Sequence, residues 1–192
     1  MKGETSQEKC AREGQGVKDK VSRCIECEIR QAVFCIEDPP LFVRELRRIA
    51  KTFGVSIVSF DAEKMAGRAH VEAALLHARR SCNRGANIAN SFEMEALLYA
   101  AGTRQCALAS EFGVHAGKNR AYVAFCPPSQ PAAAALEELV PMVEEDWEAL
   151  SREKMATLAD LFSITPSELE VAGPERIVDL VLERVALLDV MK

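Results

Sequence analysis

Cys24 and Cys27 stand three residues apart, the spacing of half a zinc site or of a redox dithiol. A structural zinc site takes four ligands, and no second cysteine pair or suitably spaced histidine follows. His70 and His77 would lie roughly 10 Å apart along a helix, too far for one ion, and His115 sits beside a glycine turn. The two thiols also fall inside a strand pattern, where an offset of three puts them on opposite faces; low-pKa redox thiols sit at helix starts instead. Like Cys35 between Phe34 and Ile36, and Cys126 after Phe125, they read as small hydrophobes in the reduced state. No phosphate loop, dinucleotide fingerprint, nucleophile elbow or zinc-helix motif occurs. The chain is therefore read as having no catalytic residue, metal or cofactor, and no small-molecule substrate.

A different chemistry is written in polar residues that interrupt apolar helices: Arg79, Arg80, Arg84 and Asn87, then Arg104 and Gln105, then Lys118. Guanidinium groups fork onto phosphate, and Asn or Gln can read base edges. Arg104 and Gln105 are predicted in the first turn of a helix opening at Thr103, where unpaired backbone N–H groups favour an anion. These seven residues are the expected RNA contacts. Arginines that only solvate a surface, with Gln105 packing a corner, would leave the same pattern.

Charge supports that placement. The net charge of −5 conceals sums of +1 over residues 1–78, +3 over 79–130 and −9 over 131–192. A basic footprint thus belongs to the middle of the chain, and the acidic last third should face another partner or solvent.

The elements that must hold these residues read as one domain. Residues 1–23 are rich in Lys, Glu, Gln and Gly, and read as a flexible extension ahead of a domain spanning 24–192. Apolar residues alternate from Cys24 to Ile36, predicting a half-buried strand; Asp38 caps a helix that ends at Gly54. The other face of that helix is basic, with Arg44, Arg47, Arg48 and Lys51. A strand follows over 55–60, and then a helix capped by Asp61 with the stripe Ala62, Met65, Ala66, Ala69, Ala73 and Leu76. Buried helix 91–101, helix 103–112, strand 121–126 and a long helical stretch over 142–162 come next; Thr165, Pro166 and Glu168 form a capping box. Strand, helix, strand, helix predicts the α/β class, α+β-like, as a single domain with a small mixed sheet covered by helices.

The last helix, after Pro174, carries an apolar stripe wider than one core contact requires, and Ile177, Leu180, Val181, Arg184, Leu187 and Leu188 are expected to meet a protein partner. With no run of eighteen apolar residues and a polar start, no membrane contact is expected and the location is read as cytoplasmic.

The block from Asn90 through Ala101-Gly102-Thr103-Arg104-Gln105, with Ala107, Ala109, Phe112 and Gly113, resembles the signature of the Cgi/TPRKB family of KEOPS subunits, archaeal type. Phe60-Asp61-Ala62, Ala66-Gly67, His70 and the Leu180–Leu188 stretch add to the similarity, which covers roughly residues 24–190. The resemblance implies a non-catalytic subunit that binds the small Bud-type kinase of the complex directly and other KEOPS subunits indirectly. It also implies help in recruiting tRNA by its 3′ CCA end for threonylcarbamoyladenosine formation at position 37. A scaffold or kinase activator without RNA contact is the alternative. The N-terminal extension and the seven cysteines depart from the family pattern.

Overall fold

The computed structural model describes residues 26–190; the predicted flexible extension and Cys24 lie outside them. Strand β1 (Glu28–Ile36) leads to helix α1 (Pro39–Phe53), whose first free N–H, that of Leu41, donates to the Asp38 carboxylate at 2.9 Å. Gly54 closes α1 in the left-handed region at φ 64°, as its position predicted. Strand β2 (Ser56–Asp61), helix α2 (Arg68–Asn83), helix α3 (Phe92–Ala100) and the one-turn α4 (Cys106–Ser110) follow. Strand β3 (Gly117–Cys126), helix α5 (Gln130–Glu137), the two-residue β4 (Met142–Val143) and helices α6 (Arg152–Leu161), α7 (Pro166–Ala172) and α8 (Ile177–Leu187) complete the chain.

The strands form one sheet in the order β2-β3-β1-β4, and every pairing is antiparallel. The α/β class and the single domain are as expected; the mixed sheet is not. β1, α1 and β2 do form a crossover between strands of like direction, but β3 enters between them and pairs antiparallel with both. That insertion depends on a strand some sixty residues downstream, which local pattern does not reveal.

Helices cover both faces of the sheet. One core joins Val58, Phe60, Tyr122 and Ala124 to α2, α3, α6 and α8, and the other joins Ala32, Phe34, Val123 and Phe125 to α1 and α5. β1 is thus covered on both sides rather than half-buried, and its expected inward parity ends at an exposed Cys35. In α2 the buried face is His70, Val71, Ala74, Leu75, Ala78 and Ser81; of the expected stripe, Ala73 packs partly buried at its edge while Ala69 and Leu76 are exposed. Alanines fit either face, and only packing decided between them.

Two other local expectations yield to tertiary contacts. The long helix over 142–162 begins only at Arg152, because Met142 and Val143 pair with the β1 edge and Trp147 packs edge-on against Tyr122 at 5.1 Å. Asp61 does not cap α2. It accepts the Glu63 N–H at 3.0 Å in a turn, and its burial raises its pKa. The α2 start is instead held by Glu148, which accepts the Arg68 N–H at 3.0 Å. A Cβ on Gly67 would lie 2.5 Å from that carboxylate, and its φ of 88° suits only glycine.

The cysteines are not all reduced: Cys27 and Cys126 form a disulfide. The register opposes Glu28 to Phe125, so residues 27 and 126 are the next cross-strand pair, with Cα atoms 4.5 Å apart. A separation of 99 residues hid this neighbourhood from spacing arguments. Among the described residues, Cys35 and Cys106 are free thiols, and no helix is long and apolar enough to cross a membrane.

Candidate functional site

Helices α2 and α3 lie antiparallel, pinned at both ends by buried polar groups. At one end the Glu95 carboxylate accepts the Ser81 hydroxyl at 2.7 Å and the Ile88 and Ala89 N–H groups at 2.8 Å. At the other, His70 Nε2 donates to the Ala100 carbonyl at 2.9 Å while Nδ1 accepts the Ala66 N–H at 3.1 Å. Both imidazole nitrogens are thus committed to the neutral ring, and burial holds the His70 pKa down at about 4.

This geometry divides the expected RNA contacts. Arg80 and Arg84 are exposed at the C-terminal end of α2. Arg79 lies 4.8 Å over the Phe92 ring, and the Asn87 amide donates to the Ala89 carbonyl at 2.7 Å, organising its own loop. Arg104 and Gln105 are exposed beyond the opposite end of α3, a helix about 14 Å long. Lys118 is exposed on β3, opposite Cys35. A single basic cluster in sequence is therefore three separate places in space.

Arg104 and Gln105 also precede helical structure rather than opening it. The chain leaves α3 through Gly102 at φ 59°, with its N–H on the Tyr99 carbonyl and the Thr103 N–H on the Leu98 carbonyl. Thr103 then accepts the Gln105 N–H at 3.2 Å, and α4 begins only at Cys106. With a single turn behind it, this corner has no helix dipole of consequence to offer an anion, contrary to the expectation. A Cβ on Gly102 would meet only ordinary contacts, 3.6 Å from the Arg184 carbonyl and 3.7 Å from the Phe162 ring, so backbone conformation is what demands glycine there.

The corner forms one wall of a groove of about 320 Å³. Ala101 to Thr103 face Arg184 and Leu187 of α8 across it, and Phe112 and Phe162 line it. Leu108, Leu161 and Leu187, exposed by 47%, 38% and 45%, give it an apolar rim. Arg184 is fixed by an ion pair to Glu168. That carboxylate also accepts the Thr165 N–H at 2.7 Å in the predicted capping box, and the backbone bond and the guanidinium together pull its pKa down to about 2.

The six residues expected to meet a protein partner divide by burial. Ile177, Val181 and Leu188 are at most 2% exposed and fill the core beneath α8, so in this fold they face the chain's own interior. Leu180 is half-buried against that core, and only Leu187 presents a large exposed apolar surface beside Arg184. The apolar stripe was wide because α8 packs against three other helices, α2, α3 and α6. Leu108 and Leu161 escaped the sequence reading because nothing in their spacing separates them from the buried Leu158 and Leu98.

Lys64 was also missed. It reaches the rim from the turn after β2, donating to the Glu111 carbonyl at 2.6 Å beside the Phe112 ring. A larger and more polar cavity, of about 820 Å³, runs along the β1 edge between Arg30, Arg68, Glu144 and Glu145. Arg30 is engaged there by Glu28, Glu137 and Gln130, and Arg68 by Glu72 and the Ile29 carbonyl. No model of a protein family matches the chain, and no curated protein is similar to it.

Proposed function

We propose that the chain is a non-catalytic KEOPS-type subunit that binds the Bud-type kinase and recruits tRNA by its 3′ CCA end. The observation that carries this reading is the groove, where the AGTRQ corner that bears the resemblance meets the terminal helix. An apolar floor with Thr103 and Arg184 on its walls suits an unstacked nucleotide end, and Arg104 stands outside it for the phosphates. The sequence reading put RNA and kinase on separate surfaces; under this proposal they share the walls of one groove. The proposed location is the cytoplasm. Intracellular proteins of hyperthermophilic archaea are commonly disulfide-rich, so the Cys27–Cys126 bond is compatible with it.

The second reading, a protein-binding scaffold or kinase activator without RNA contact, is favoured by the rim of three exposed leucines. Gel-shift titration separates the two. Arg104→Glu should weaken binding of intact tRNA about tenfold and make the salt dependence shallower, and removal of the CCA end should mimic it. Unchanged tRNA affinity in both comparisons refutes the RNA role. Leu187→Glu should abolish co-purification with the kinase if the rim is its seat; retention of the kinase puts that contact elsewhere.

A further inference from the structure

On the face of the sheet away from the groove, α1 carries Arg44, Arg47, Arg48 and Lys51, all exposed. At about 100° per residue they fall within roughly 100° of arc, opposite Leu46 and Ile49, which fill the α1 side of the core. Among the described residues Arg48 is paired with Glu45, and Arg44, Arg47 and Lys51 have no acidic partner. Seven residues separate the first cation from the last, about 10 Å along the axis, or some three phosphate steps of a duplex strand.

We propose that this stripe is a second nucleic-acid surface, one that binds the phosphate backbone of an RNA duplex without reading its sequence. Three of its four cations are guanidinium groups, which fork onto phosphate oxygens. Four cations crowded within about 10 Å on one helix face match the dense charge of a polyanion better than the scattered carboxylates of a protein surface. A lipid headgroup surface fits less well. A helix lying in a membrane interface inserts its apolar face, and that of α1 is already packed on the sheet through Leu46 and Ile49. The surface is distinct from the groove and needs no CCA end.

The test is fluorescence anisotropy with a labelled RNA duplex lacking any CCA overhang, titrated from about 50 to about 300 mM salt, a range over which three phosphate contacts change affinity about a hundredfold. The wild type should bind weakly. Arg44→Glu/Arg47→Glu/Lys51→Glu should bind about tenfold or more weaker, with the slope of log K against log salt reduced by about 2–3; the corresponding triple Gln variant should fall between. Unchanged melting temperatures keep the comparison clean, since all three side chains are exposed. Equal affinity and slope for wild type and the Glu variant overturn the proposal. So does no duplex binding by the wild type, stripe-dependent binding to phosphatidylserine vesicles without RNA binding, or equal competition by polyglutamate. Loss of CCA-dependent binding in Arg104→Glu leaves this assay unmoved, so the two readings fail separately.

Discussion

Single residues in this protein serve the helix pair that carries the groove. His70 is the clearest case, because each ring nitrogen has a backbone partner that accepts only the neutral Nε2–H form. Its pKa is about 4 in the fold against 6.5 ordinarily, so the unfolded chain binds the extra proton between those values and stability falls as pH drops through that window. Between pH 7 and 4.5 the His70 contribution should amount to about 2 kcal/mol. Urea unfolding of wild type and His70→Gln at both pH values checks this: the variant should lose less stability on acidification. Parallel losses would show that His70 is not the linked group. Glu95 is the counterpart at the other end of the pair, a carboxylate with no exposure and three donors. In sequence it is one more polar residue on an otherwise apolar helix; only the loop folding back over it reveals its role.

Among the elements, the ends of α1, α3 and α7 were legible because caps are local: Asp38, Gly54, Gly102, Thr165 and Glu168 act within four residues of themselves. The stretch from Met142 to Ser151 was not, because its conformation answers to the β1 edge, Tyr122 and the α2 start rather than to its own propensity. The Cys27–Cys126 bond is the same lesson in covalent form. By the chain-entropy account a loop of this length stabilises by about 4–5 kcal/mol, so Cys27→Ser/Cys126→Ser should lower the melting temperature markedly. Thermal melts that are identical with and without the bond would mean that the pairing at the start of β1 holds without it.

Across the whole molecule, the sheet separates two surfaces. The groove lies among α3, α4, α6 and α8 on one face, and the basic stripe of α1 on the other. Sites separated by a sheet and sharing no partner act independently. Combining the α1 charge-reversal variant with Arg104→Glu should therefore multiply their separate losses in affinity for intact tRNA. Titrating the four proteins side by side tests this; a combined loss no larger than either alone would place both changes on one contact. The regional charges are redistributed accordingly. The +3 middle segment supplies three separated patches, while the stripe belongs to a segment of nearly balanced charge.

What the sequence by itself determined is what acts over one or two turns: the α/β class, most element positions, the caps of α1 and α7 and the basic face of α1. Periodicity and hydrogen-bonding chemistry are written in neighbouring residues, so these survive without a fold. Tertiary structure alone decided the antiparallel sheet with β3 between β1 and β2, the disulfide, and the dispersal of the basic cluster to the two ends of α3 and to β3. It also decided which side of α8 is core and which is rim. Each of these turns on residues tens of positions apart, and such distances become contacts only when the chain buries its apolar surface.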